Sequence, residues 1–216
     1  MRSLRAARRC ALALALIACG CAAAPIAGAA GTRYRLGDFV VYHYGGPALA
    51  EPVTLREEVT AQEGNRLRID VTATRKTGTR AWVQLLTDTP ENQHDNVVDA
   101  VWEKADAGFV KLENAKNRDL YRLYEWTLFM PDKPMHGVTQ EPCREGVAGR
   151  RLACTCRFGL TTYKGASVRV KESECPDFLW THGPSDVWPV EGEPVFFVEV
   201  VEAGRREDAT ALPFEP

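Results

Sequence analysis

The 216-residue sequence lacks the short motifs by which several enzyme classes are recognised. It contains no H-E-x-x-H zinc-protease motif, no P-loop and no G-x-G-x-x-G dinucleotide fingerprint. None of its serines lies in a G-x-S-x-G nucleophile elbow, and no C-x-x-C redox pair is present. We therefore predict no catalytic residue and no cofactor, and we expect a protein that is not an enzyme.

The chain also lacks an excess of basic residues. It has 27 Lys and Arg against 29 Asp and Glu, and four of the arginines lie within residues 1–18, where there is no acid. Without that segment the formal charge is -6, from 23 basic and 29 acidic residues. An acidic body disfavours nucleic-acid binding and electrostatic attachment to anionic lipid, since both need a basic surface.

The most apolar segment, "ALALALIACGC" at 11–21, is too short for a membrane span. Its strongly apolar part covers about eight residues, whereas a spanning helix needs roughly 20. An arginine-rich start, a short apolar core and small residues after it are typical of an export signal. We therefore predict that residues 1–18 are a signal peptide and that the protein leaves the cytoplasm.

Leu16-Ile17-Ala18-Cys19 resembles the lipobox of bacterial lipoproteins, and it lies directly after the apolar core. The resemblance implies that Cys19 is lipidated and becomes the first residue of the mature protein. It also implies a membrane partner that is reached through the lipid anchor. The protein would lie in the periplasm or at the outer membrane, and Gly20 favours the outer membrane. Residues 19–32 would then form the lipidated cysteine and a flexible tether.

Plain secretion is the alternative, with cleavage near Ala27-Gly28-Ala29, where small residues are abundant. That cleavage would remove Cys19 and Cys21 and leave an even number of cysteines, whereas lipidation leaves Cys21 as an odd thiol. Both interpretations export the chain.

The body reads as one α+β domain over residues 33–205, followed by a polar tail at 206–216. Alternating runs such as "NRLRIDVTATRK", joined by short turns, predict a single curved antiparallel sheet of about seven to eight strands that curls toward a barrel. "NRDLYRLYEWTLFM" has helical spacing, with Asn117 as N-cap and Pro131 as its end, and predicts one main helix. Residues 131–149 and 176–194 are predicted as loops.

Four cysteines are grouped in the C-terminal half: Cys143, Cys154, Cys156 and Cys175. In an exported chain we expect structural disulfides. A bond between Cys154 and Cys156 would close a strained ring, so two pairings remain: 143–154 with 156–175, or 143–156 with 154–175. A thiolate site for zinc, or for copper with His136 or His182, is the alternative, although the usual C-x(2–4)-C zinc spacing is missing.

Trp180 and Trp188 precede the last predicted strand and have two possible roles. They could form an exposed contact surface for a ligand or partner, or they could close the open end of the sheet as core. The expected architecture is similar to that of bacterial lipoprotein-carrier proteins, a likeness of general fold only.

We therefore expect a binding or scaffolding module at the cell envelope, with a protein or lipid partner. The alternatives are a carrier of an apolar ligand between sheet and helix, and a hydrolase or metalloprotein whose site the sequence does not show.

Overall fold

The computed structural model describes residues 32–89, 91–92, 97–113, 122–180, 183–189 and 192–216. Eleven strands are present in this part of the chain: β1 (Asp38–Gly45), β2 (Val53–Glu63), β3 (Arg66–Arg75), β4 (Gly78–Thr87), β5 (Ala100–Ala105), β6 (Gly108–Lys111), β7 (His136–Val147), β8 (Arg150–Tyr163), β9 (Ala166–Glu174), β10 (Ser185–Pro189) and β11 (Phe196–Arg205). No helix among these residues is both long and apolar enough to cross a bilayer.

The strands form one sheet, in the order β10-β9-β8-β7-β11-β1-β2-β3-β4-β5-β6. Neighbours are antiparallel except at β7 and β11, which meet in parallel at Val147 and Val200. Strand β10 pairs with both β9 and β11, so the strands from β7 to β11 close into a ring. The sheet therefore curls as expected, but it has more strands than the seven to eight that were predicted.

The predicted α+β class with one main helix is wrong, because the described chain is nearly all β. Residues 114–121, which include the predicted N-cap, lie outside the described residues, and only 122–124 of the rest are helical. Thr127 donates from both its backbone nitrogen and its hydroxyl to the Tyr124 carbonyl, each at 2.8 Å. This carbonyl is thus taken by a local turn, and the helical stretch that the structure describes ends at Tyr124.

The two predicted loops are also corrected, since each contains a strand. β7 occupies most of 131–149, and its mostly exposed side chains give no apolar alternation from which to recognise it. Pro142 is tolerated there because β7 pairs with β8 on one side and, in the described part of the chain, meets β11 only at Val147. Likewise, β10 lies within 176–194.

The core lies mainly on one face of β1 to β5, which we call the inner face. Val40 and Tyr42 of β1, Leu55 of β2, Val71 of β3 and Trp82 of β4 are almost fully buried there. The segment Arg122–Met135, which we call the strap, crosses this face and adds Leu123 and Phe129 to the core. The strap thus takes the place that the predicted helix was expected to fill.

Residues 206–216, predicted as a polar tail, pack on the opposite face of the sheet. The Leu212 amide donates to the Thr60 carbonyl at 2.9 Å, and Phe214 packs on a small cluster that includes Trp102. The Arg66 guanidinium lies 4.9 Å from the centre of the Phe214 ring. The chain end therefore covers apolar surface that β4 and β5 would otherwise expose.

The predicted disulfides are confirmed, and the structure selects one of the two pairings that the sequence left open. Cys143 is bonded to Cys156, and Cys154 is bonded to Cys175. The first bond crosses the β7–β8 hairpin, and the second joins β8 to the end of β9. Disulfides persist in oxidising compartments, so this pair indicates an extracytoplasmic protein.

The double variant C143S/C156S should remain folded but lose stability. Its disulfide closes a loop with a sequence separation of 13, for which removal costs about 3 kcal/mol. Urea unfolding measures the loss, and thiol titration of the unfolded variant should show no new free thiol, because Cys154–Cys175 stays intact.

The matched variant C143S/C154S breaks both native bonds and should lose about twice that free energy. If C143S/C154S were the more stable of the two variants, the other connectivity would be the correct one.

Candidate functional site

A glutamate lies in the middle of the apolar inner face. Val53, Leu55, Glu57 and Val59 alternate along β2 and point to the same side of the sheet. In the register, Glu57 is opposite Val40 of β1 and Val71 of β3, both of which are buried. A carboxyl at such a position is costly to ionise, so its surroundings decide its protonation state.

The strap brings a tyrosine onto this glutamate. The Tyr124 hydroxyl donates to Glu57 Oε1 at 3.1 Å and accepts from Gln84 Nε2 at 2.7 Å. The Tyr124 ring also meets the Trp82 ring edge to face, with the centroids 4.9 Å apart. One hydrogen-bonded chain therefore joins β2, the strap and β4.

Burial raises the pKa of Glu57 to about 7, and the hydrogen bond from Tyr124 opposes this shift only in part. The tyrosines around the carboxyl are also perturbed. Burial raises the pKa of Tyr34 to about 12 and that of Tyr42, Tyr44 and Tyr124 well above the usual value, and the negative charge of Glu57 adds to each shift. The cluster is thus one titratable carboxyl surrounded by four neutral phenols.

Two nearly fully buried side chains of the inner face, Tyr42 and Trp82, have a polar atom without a hydrogen-bond partner among the described residues: the Tyr42 hydroxyl and Trp82 Nε1. Each of these side chains is only 1% exposed. An unsatisfied buried donor costs about 1–3 kcal/mol and calls for an explanation. The inner face therefore contains buried polar atoms whose hydrogen-bonding capacity is not used within the described part of the chain.

An apolar groove lies beside this cluster, between the strap and the ring of strands. It has a volume of about 210 Å3, and Phe129, Met135, Val170, Val187 and Phe196 form its apolar walls. Thr161, Glu172 and Ser185 supply polar atoms in its lining. The Phe129 ring packs on those of Phe196 and Tyr163, which holds the strap over the groove.

The two tryptophans that the sequence suggested as one contact surface lie in different surroundings. Trp180 is only 6% exposed and meets the Tyr34 ring edge to face, with the centroids 5.2 Å apart. Trp188 is partly exposed and lines a second groove of about 270 Å3, with Phe158, Arg169 and Pro189. Trp180 is therefore a core residue, and Trp188 alone is available to a partner.

The cysteines lie beside a small charged cluster. Glu145 Oε1 is 3.2 Å from Cys156 Sγ and 2.6 Å from Lys171 Nζ, which also contacts Asp186 at 3.3 Å. Burial raises the pKa of Asp186, against the opposing effect of Lys171. Cys143, Glu145 and Cys156 are close enough to share a metal ion, but the disulfides consume the thiolates that a zinc or copper site would need.

Of the other residues singled out from the sequence, Cys19 and His182 lie outside the described residues, and His136 begins β7. Sequence reasoning missed Glu57, although "PVTLREEVTAQ" contains the signal. Its alternating apolar positions pass through Val53, Leu55 and Val59, and a glutamate takes the position between the last two. A carboxyl that takes an apolar position in such an alternation faces the core, and it is a candidate for a perturbed pKa.

No protein-family model matches the chain, and no curated protein matches it in sequence. A likeness to the crystal structure of MucB covers 82% of this chain and 56% of that chain, with 12% sequence identity and a TM-score of 0.42. This chain thus spans little more than half the length of that one. A likeness of this degree assigns no activity, substrate or partner here.

Replacing Glu57 by Gln should flatten the pH dependence of stability. The pKa of about 7 in the folded protein exceeds the ordinary value of 4.5. The contribution of Glu57 is therefore fully present below pH 4.5 and is lost as the pH rises through 7. The difference corresponds to about 3 kcal/mol.

Urea unfolding at a series of pH values between 4.5 and 8 tests this prediction. E57Q should match the wild type at the acidic end and exceed it in stability at the alkaline end. Glu58→Gln, which changes the adjacent carboxyl on the other face, should retain the wild-type slope. Parallel wild-type and E57Q curves would mean that Glu57 ionises normally.

Proposed function

We propose that this chain is an extracytoplasmic, non-enzymatic module that binds a partner protein at the cell envelope and is anchored to the membrane through Cys19. The disulfides support export, and the lipobox-like segment supports the anchor. The observation that carries the binding proposal is the apolar groove between the strap and the ring of strands.

The size of the groove favours a protein partner over a free lipid. Its volume of about 210 Å3 is below the roughly 300–1,000 Å3 of small-molecule sites. It matches one large apolar side chain, which is how a partner protein typically anchors itself in a pocket. A lipid carrier would need a longer cavity, so this alternative has less support.

The polar residues of the groove indicate the chemistry of that anchor. Glu172 forms an ion pair with Arg157 at 3.3 Å, and both side chains are about half exposed. Exposed pairs of this kind contribute little stability, so a partner's Lys or Arg can replace Arg157 at small cost. The best-matched partner segment is therefore an aromatic or aliphatic side chain followed by a basic residue.

The probe for this proposal is the peptide acetyl-Ala-Phe-Lys-Ala-amide, with Ala in place of Phe as its control. Binding of the Phe peptide should shift the methyl NMR signals of Met135 and Val187. Val170→Phe, which fills the groove, should weaken the affinity at least about tenfold, or about 1.4 kcal/mol.

Val201→Phe is the matched control, because Val201 is 49% exposed and lies outside the groove. Equal binding of both peptides, or an affinity that V170F does not change, would contradict the proposal. Tighter binding of palmitate than of either peptide would favour the carrier instead.

The anchor is tested separately with Cys19→Ser. The wild-type protein should partition into the detergent phase and incorporate labelled palmitate, because several acyl chains bind membranes firmly. C19S should lose the label, whereas Cys21→Ser should keep it. A wild-type protein found without label in the aqueous phase would point to plain secretion.

A further inference from the structure

The face of the sheet opposite the inner face, which we call the outer face, changes character between β3 and β4. Along β3 it is charged, since Arg68 and Asp70 form an ion pair there at 2.7 Å. On β4 and β5 it is apolar, and Val83, Leu85 and Trp102 form a buried cluster of their own, which we call the outer patch. An apolar cluster on this face has to be covered, because exposing it to water is unfavourable.

The chain covers the outer patch with residues 211–215, which we call the tail peptide. Phe214 packs on the patch, and the Arg66 guanidinium lies 4.9 Å from the centre of its ring. Phe214 is only partly buried, and the other residues of the tail peptide are exposed, Leu212 at 43%. The tail peptide thus lies on the sheet as a bound segment and not as part of its core.

A bulge in β2 provides a backbone acceptor for the tail peptide. The register of β2 with β3 shifts between Val59 and Ala61, so Thr60 is left out of the strand pairing. Its carbonyl accepts instead from the Leu212 amide at 2.9 Å. Bulges of this kind are enriched beside functional sites, where they redirect backbone or side-chain groups.

Three contacts recognise three consecutive residues of the tail peptide. The amide of Leu212 is bound by Thr60, the carbonyl of Pro213 accepts from Arg68 Nη1, and the ring of Phe214 is bound by the outer patch. Proline suits the middle position, because the site binds its carbonyl and proline has no amide hydrogen to leave unsatisfied. The order apolar–Pro–aromatic is therefore read by backbone and side chain together.

The tail peptide can leave the sheet without disturbing it. Within the described part of the chain, residues 211–215 make no hydrogen bond or ion pair beyond those just named. The preceding stretch is held separately by Arg206, whose amide donates to the Gly37 carbonyl at 2.9 Å and whose guanidinium pairs with Glu58 at 3.1 Å. Release of the tail peptide breaks no pair of the strand ladder, so it is a local opening.

We propose that the outer patch is a docking site for an extended segment of a partner protein with the order apolar–Pro–aromatic, and that the tail peptide is an intramolecular competitor which this partner displaces. An acidic residue after the aromatic ring suits the site, because Arg66 and Lys111 both lie at the patch, the latter with Nζ 5.1 Å from the centre of the Trp102 ring. The site is on the face opposite the groove, so this inference does not rest on the proposed function.

Tethering favours a partner over a second copy of this chain as the occupant. A tethered segment competes at an effective concentration on the order of millimolar. A second copy offers the same segment with the same contacts, so at ordinary protein concentrations it loses to the tail in place. Displacement requires a segment that binds more tightly than the tail peptide does.

The probe is the fluorescent peptide acetyl-Ala-Leu-Pro-Phe-Glu-Pro-amide, titrated into the full chain and followed by anisotropy. Phe214→Ala weakens the competitor without changing the patch, so this variant should bind the probe at least about tenfold more tightly than the wild type. Leu160→Ala is the matched control, because Leu160 is 39% exposed and lies on β8, away from the patch. It should bind as the wild type does, and a probe with Ala in place of Phe should bind none of the three proteins.

Hydrogen exchange of the wild type is the second measurement, in case F214A does not fold. At half saturation with the unlabelled peptide, the protection factor of the Leu212 amide should fall to about two, since half of the tails are then displaced. The Arg206 amide and the amides of the β2–β3 ladder should keep their protection.

Equal affinities of the wild type and F214A would overturn the proposal, as would a Leu212 amide that exchanges only together with the ladder. A concentration-dependent dimer that F214A abolishes would assign the site to a second copy instead. V170F, which fills the groove, should leave binding of this probe unchanged. Loss of binding in V170F would place the probe in the groove and refute the outer patch as its site.

Discussion

The inner face of the sheet is apolar along most of its length, and it has to be kept from water. Burial of Tyr42, Leu55, Val71, Trp82 and their neighbours contributes the main stabilisation, since each large apolar side chain that is fully buried is worth about 1.5–3 kcal/mol. Two devices cover this face: the sheet curls until β10 reaches β11, and the strap crosses the part that remains. The groove and the partly buried Glu57 carboxyl both lie beside the strap.

Covering a sheet with a strap has consequences that differ from those of a packed helix. A helix satisfies its own backbone groups and presents a continuous apolar stripe, whereas the strap contributes separate side chains such as Leu123, Tyr124 and Phe129. The gap between these side chains and the strands forms the groove. The hydrogen bonds of Tyr124 to Glu57 and Gln84 fix the orientation of the strap on the sheet, which apolar contacts alone do not. The strap therefore both covers the core and forms one wall of the groove.

Several elements could be predicted from the sequence because their causes are local. The alternation of β3, the short turns that join it to its neighbours and the final strand all formed as predicted. The helix prediction was wrong because spacing alone cannot distinguish a helix from a strap whose side chains reach the sheet at similar intervals. β7 was missed because an exposed strand, held by its neighbour and a disulfide, needs no apolar pattern. The importance of Glu57 depends on Tyr124, which is 67 residues away, and no local pattern contains that contact.

The two disulfides cross one another along the chain, because 143 is joined to 156 and 154 to 175. A chain oxidised in the order in which its cysteines emerge would join neighbours instead, 143 to 154 and 156 to 175. Cys143 and Cys154 even lie directly opposite each other in the β7–β8 register, so the incorrect bond is within easy reach. The hairpin alone thus does not select the native pairing, and a bond between Cys143 and Cys154 has to be exchanged for the native ones by thiol–disulfide exchange.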